Sequence, residues 1–216
     1  HLFDGSKSLC DEQDAPKPLN NYAKHKLDAE IDVAKSCPDA IICRTNFVGW
    51  GPSYRRSFSD VIFDKLGLGI TLYMYDDVFF TPVSCSQLID TAHALIAADS
   101  HGVFNICSNE RISKYEFSVK LAKAFHFDAE QIQPVQAHRR KIATQRPKDL
   151  SLSNRKICKE LGIKGFSISD TIKSLQVETI NRKEISKIGK IIPYGKHLVD
   201  ENDIEAVSNV LRNGQL

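Results

Sequence analysis

Tyr22 and Lys26 stand four residues apart in the stretch KPLNNYAKHKLDAE. On a helix, positions i and i+4 lie one above the other on the same face. An ammonium held there favours the ionised form of a phenol, whose free pKa of about 10 otherwise keeps it from exchanging protons readily near neutrality. The chemistry such a pair could do is proton transfer to or from an oxygen. The same spacing also occurs on any solvated helix, so the elements around it must decide.

A helix is expected from about Asn20 to Lys35, with Leu27, Ile31 and Ala34 on its apolar side and Cys37-Pro38 as its stop. Lys26 and Glu30 are also an i,i+4 pair on it, read as surface support. Ala40–Cys43 is a short continuous apolar run, which suits a buried strand of a parallel sheet. Its carboxyl end runs into Arg44-Thr45-Asn46-Phe47-Val48-Gly49-Trp50-Gly51-Pro52, where open α/β sheets bind ligands. Further along, a helix is expected over 59–66, extended chain over 69–83, and a second apolar strand over 102–107. Ser84-x-x-Gln87 and Ser113-x-x-Glu116 read as capping boxes. The helices they open carry Leu88, Ala92, Leu95 and Ile96, then Phe117, Leu121, Ala124 and Phe125, as inward faces. Residues 127–148 read as polar loop ending at Arg146-Pro147, 154–161 as a helix stopped by Gly162, and 169–177 as a last short helix. A basic stretch, 181–190, suits a linker. The chain then closes on Ile191-Ile192-Pro193-Tyr194-Gly195 and a helix with an acidic start at Asp200.

Composition bounds the partners. The chain of 216 residues is 42% hydrophobic and 26% charged, with a net charge of +2, which gives no bulk attraction to nucleic acid or anionic membrane. The run His138-Arg139-Arg140-Lys141 has no interleaved aromatics and reads as a solvated loop. No apolar run approaches the ~20 residues that span a bilayer. Six scattered cysteines without a C-x-x-C pair suit reduced thiols in a cytoplasmic protein, and seven histidines without H-x-x-x-H spacing predict no metal site.

Six blocks in order resemble the carboxyl-terminal two-thirds of an extended short-chain dehydrogenase/reductase, of the dTDP-4-dehydrorhamnose reductase family. They are LFDG, KPLNNYAKHKLDAE, RTNFVGWG, FFTPVSCSQLID, GVFNICSNERISKYEFSVKLAKAF and RPKDLSLSNRKICKELGI. The resemblance implies an α/β fold: the carboxyl-terminal part of a Rossmann-type doubly wound parallel sheet with a small substrate-binding subdomain, over residues 1–178. It implies reduction of a nucleotide-linked 4-keto-6-deoxy sugar with NADPH or NADH, and a homodimer. Tyr22 would be the catalytic acid, Lys26 would assist it and bind the nicotinamide ribose, and Asn46 and Phe47 would line the cofactor. Phe47, Val48 and Arg146 would meet the substrate, Arg146 at its diphosphate. Family members typically carry tryptophan where Phe47 stands. The glycine-rich dinucleotide loop does not occur in the sequence, and the family's Ser/Thr partner of the tyrosine would fall before His1, so the chain reads as a fragment.

The tail, IIPYGKHLVDENDIEAVSNVLRNGQL, resembles the start of pyridoxal-phosphate-dependent sugar aminotransferases of the DegT type. That implies a linker over 179–190, a truncated aminotransferase start over 191–216, and pyridoxal phosphate only beyond Leu216. Two other activities fit the same blocks: a nucleotide-sugar epimerase or dehydratase, and a non-catalytic NADP-binding regulatory subunit resembling that of methionine adenosyltransferase.

Overall fold

Helix α1 (Asn21–Ser36) begins where Asn20 turns its side-chain oxygen onto the Ala23 amide, 2.9 Å away, satisfying one of the donors a helix start leaves open. The computed structural model describes residues 1–52, 54–137 and 145–187, the last seven as backbone; His1–Arg182 forms one unit, described below. Strands β1 (Ile41–Thr45) and β2 (Phe47–Val48) follow, then α2 (Phe58–Gly67), capped by a Ser57/Asp60 box. The extended region divides into β3 (Leu72–Tyr75), β4 (Phe79–Phe80) and β5 (Val83–Ser84). Helix α3 (Cys85–Ala97) opens at the Ser84/Gln87 box, and after β6 (Gly102–Ile106) and β7 (Ile112–Ser113), α4 (Lys114–Ala124) opens at the Ser113/Glu116 box. Both boxes form as the sequence predicts, because each needs only residues three apart.

The two apolar runs pair with each other. Strand β1 lies parallel to β6, Ile41 opposite Gly102 and Thr45 opposite Ile106. Parallel pairing also joins β2 to β5, while β4 and β7 are antiparallel. A strand was not expected beyond Phe127, yet β8 (Ile132–Val135) runs parallel to β3. Its Gln133 and Pro134 break the apolar pattern, and only Ile132 is buried in the core. Helix α5 (Arg155–Leu161) ends at Gly162, whose φ of 63° is the left-handed conformation of a helix stop. Helix α6 (Ile168–Lys187) is longer than its expected span to Val177, and Ser167 and Asp170 cap it reciprocally. The tail from residue 188 onward, with its aminotransferase-like start, and the basic run 138–141 lie outside the described residues.

The largest core cluster joins α2, α4, β3, β8 and α6 around Ile62, Leu66, Phe80, Phe117, Leu121 and Leu175. Phe80 and Phe117 meet edge to face at 5.4 Å, and Phe58 stacks on Phe117. Phe117 is wholly buried. Phe117→Ala is therefore expected to cost about 3–5 kcal/mol, read from urea unfolding with the slope unchanged. A second cluster (Val83, Leu95, Phe104, Ile106, Ile157) packs α3 and α5 on β6. Three expected inward residues face outward instead: Ile96 of α3 and Ile31 and Ala34 of α1 are exposed. Thr91 and Gln87 take the buried positions of α3, because their hydroxyl and amide are satisfied there, Thr91 by the Gln87 carbonyl and Gln87 by the Ser84 amide.

Candidate active site

Tyr22 sits in the first turn of α1, where the Asn20 cap sets the helix direction. The Asn20 side-chain amide also donates to the Gln145 carbonyl, 2.9 Å away, tying the start of this helix to the segment that carries Arg146. The phenol is 58% exposed, its ring lies edge-on to His1 at 5.5 Å, and Lys26 Nζ stands 6.0 Å from the ring centroid. The i,i+4 geometry thus places ammonium and phenol side by side, as the spacing predicts.

Tyr22, Lys26, Asn46 and Phe47 line one open groove of about 510 Å³. Phe47 projects into it, 60% exposed, and Asn46 is held by accepting the Thr81 amide at 3.2 Å. Val48 does not reach the groove. Successive side chains of a strand point to opposite faces, so exposure of Phe47 turns Val48 into the core, where it is buried; a substrate contact for Val48 is corrected to a packing role. The loop beyond is pinned from below. The Asp60 carboxylate accepts the Gly51 and Ser57 amides at 2.7 and 2.9 Å. Burial pushes this carboxyl up, but those hydrogen bonds and Arg56 outweigh burial and hold it below the usual aspartate range. A Cβ on Gly51 would come within 2.2 Å of the Arg55 carbonyl oxygen, so this turn requires glycine.

The groove also receives Arg44, to which the sequence assigned no role, and Thr45 of the expected lining loop. Arg44, within β1 and not in the loop after it, is buried and donates Nε to Glu30 Oε2 at 3.0 Å, with a second contact from Nη2 to Oε1. Glu30 thus pairs with Arg44 across the α1–β1 packing, and no ion pair forms with Lys26. Arg44 Nη1 and Thr45 Oγ1 are buried polar atoms without a hydrogen-bond partner, and both residues line the groove. Unpaired buried donors beside Tyr22 and Lys26 fit a polar ligand such as the ribose and amide end of a nicotinamide nucleotide.

Arg146 lies elsewhere, on a second cavity of about 690 Å³ walled by Phe58, Tyr73, Tyr75 and Leu150. Both cavities share His1 as a lining residue. Lys148 at the same rim is committed to Asp77, 2.7 Å away. Lys114 enters this cavity too, and sequence alone carried a sign of it: it lies three residues before Phe117, on the same helix face. No cluster of metal-ligating side chains occurs among the described residues, all six cysteines are free, and no described helix is long and apolar enough to cross a membrane.

The profile of the family described as RmlD substrate binding domain matches residues 1–179. Methionine adenosyltransferase 2 subunit beta of Danio rerio is 27% identical over 79% of this chain and 54% of its own length. The protein named probable low-salt glycan biosynthesis reductase Agl14 of Haloferax volcanii is 26% identical over 82% of this chain and 60% of its own. The chain thus spans little more than half the length of these relatives. Among solved structures, the dTDP-4-dehydrorhamnose reductase of Bacillus anthracis in complex with NADP superposes with a TM-score of 0.74 at 20% identity, over 82% of this chain and 62% of that one. The reductase of that name from Yersinia enterocolitica gives 0.72 at 23%, over 82% and 63%. These likenesses establish an α/β, Rossmann-like fold.

Proposed function

The chain belongs to the RmlD substrate binding domain family, and from that membership we propose that it serves an NAD(P)H-dependent reductase of nucleotide-linked 4-keto-6-deoxy sugars. The observation that carries this reading is the convergence of Tyr22, Lys26, Asn46 and Phe47 on one groove, with the Arg146 cavity adjoining at His1. A bound dihydronicotinamide supplies the hydride that reduces the sugar's C4 carbonyl carbon. Tyr22 Oη gives its proton to the carbonyl oxygen as negative charge develops there, and the Lys26 ammonium stabilises the phenolate left behind. Asn46 and Phe47 position the cofactor ring and the sugar, and Arg146 takes the substrate diphosphate through its planar guanidinium.

The test is NADPH oxidation with a dTDP-4-keto-6-deoxy sugar, in the protein carrying its natural flanking sequence. Turnover supports the reductase. Consumption of dTDP-glucose or interconversion of epimers in its place assigns a dehydratase or epimerase on the same fold. The likeness to methionine adenosyltransferase 2 subunit beta favours a second reading, a non-catalytic NADP-binding regulatory subunit. Tight NADPH binding without turnover of several nucleotide sugars would select it.

We further propose residues 1–178 as the reductase portion, 179–190 as a linker and 191–216 as the start of a fused pyridoxal-phosphate-dependent aminotransferase. In the protein with its natural downstream sequence, that fusion predicts a borohydride-reducible pyridoxal phosphate absorbance; its absence sinks the fusion alone. A homodimer in the cytoplasm completes the reading, checked by the mass in solution and by fractionation.

A further inference from the structure

Lys114 opens helix α4, and its charge meets aromatic ring faces but no carboxylate among the described residues. Its Nζ lies 3.3 Å from the Phe80 ring centroid and 4.5 Å from that of Phe58, and the side chain lines the second cavity. Among the described residues no carboxylate stands within ion-pair distance of it, and Nζ makes no hydrogen bond. None of the described acids on the elements packed against it pairs with it. On α4 itself, Glu116 caps Ser113. On α2, Asp60 takes the Gly51 and Ser57 amides, Asp64 pairs with Arg56, and Lys65 is exposed. Beyond β3, Asp77 is paired with Lys148 and Asp149 with Arg111, while Asp76 makes no ion pair with Lys114 and keeps its Oδ1 buried without a hydrogen-bond partner. Asp128 and Glu130, before β8, are exposed. The same cavity is lined by Tyr73, Tyr75, His1 and two further cations, Arg146 and the Asp77-paired Lys148.

An aromatic-walled cavity with three cations, of which Lys148 alone is paired, and no acid among its described lining residues suits an anion inside. We propose that Lys114, together with Arg146, is the counter-ion for an anionic ligand group in this cavity: the diphosphate of the nucleotide-linked substrate. The assignment rests on the placement of the substrate diphosphate proposed above, and it makes binding proton-linked. Burial alone pushes the Lys114 amine down to about 7. Near neutrality the empty site holds a large share of neutral amine, and an entering anion draws a proton onto it. Affinity should then fall as pH rises above 7, because a neutral amine does not attract the diphosphate.

The test is calorimetry of dTDP-glucose binding to the full chain, a probe whose two diester phosphates keep their charge across this range. From about pH 6.5 to about pH 8.5 the wild-type affinity should fall roughly tenfold or more, following a lysine near 7. K114M should bind at least about tenfold more weakly than wild type at the lower pH, consistent with loss of a charge-assisted contact. K114R keeps its charge at both pH values and should vary less than about threefold. It also leaves His1 in place, so the difference from wild type belongs to Lys114. Thymidine, which lacks the phosphates, should bind wild type and K114M alike. K114M binding as tightly as wild type at the lower pH, a K114R profile that tracks wild type, or no binding by wild type would each overturn the proposal. Keto-sugar turnover, measured separately, tells whether the reductase reading survives such a result.

Discussion

Tyr22→Phe is expected to lower kcat roughly 10²–10⁴-fold, the range in which a positioned proton donor contributes. The substitution deletes one hydroxyl from a ring that is 58% exposed and keeps its edge-on contact with His1. Stability should therefore change by no more than about 0.5 kcal/mol, as for other surface substitutions. NADPH affinity should hold, since Lys26, Asn46 and Phe47 still line the groove. Lys26→Met should lower kcat as well and also weaken the cofactor, because the ammonium is assigned both the phenolate and the ribose. The pair of readouts separates the two roles: steady-state rates for one, equilibrium cofactor binding for the other. A Tyr22→Phe protein that turns over at the wild-type rate would remove the proton-donor role and leave the groove a binding site only.

Glu30→Ala should destabilise the fold by about 3–5 kcal/mol, because it strands a buried guanidinium without its counter-charge. Side-chain exposure is 8% for Arg44 and 13% for Glu30, so water cannot replace the lost carboxylate cheaply. Arg44 Nη1 already lacks a partner, which leaves no reserve of hydrogen bonds to absorb the loss. For a domain of this size the melting temperature should drop by about 6–20 °C. The double variant Glu30→Met, Arg44→Met should recover most of that stability, since removing both charges removes the desolvation cost together with the attraction. A loss below about 1 kcal/mol for Glu30→Ala would mean that Arg44 swings into the groove and finds water there. The pair also joins α1 to β1, so the single variant is expected to shift Lys26 and to lower kcat beyond its thermal effect.

Much of this arrangement was readable before any coordinates. The Ser84/Gln87 and Ser113/Glu116 boxes, the Gly162 stop and the two short apolar runs as strands all appear where the chain predicts them. Tyr22 beside Lys26 was readable for the same reason. Each depends on hydrogen bonds or side-chain neighbours within four residues, or on apolar runs that have no other way to leave water. The failures share the opposite cause. Strand β8 forms although Gln133 and Pro134 spoil its pattern, since its partner β3 lies some sixty residues earlier and supplies the hydrogen bonds. Glu30 looked like a surface partner for Lys26 until β1 brought Arg44 under the helix.

The sequence by itself determined where the boxed helices start, that two apolar runs become strands, and that one phenol has an ammonium beside it. Only the tertiary structure decided that Val48 faces the core while Phe47 faces the groove, that Arg146 belongs to a different cavity from Tyr22, and that Lys114 stands against aromatic rings without a carboxylate partner among the described residues. The division is physical: caps and i,i+4 pairs act within a turn of chain, whereas burial of a charge is set by which distant elements close over it.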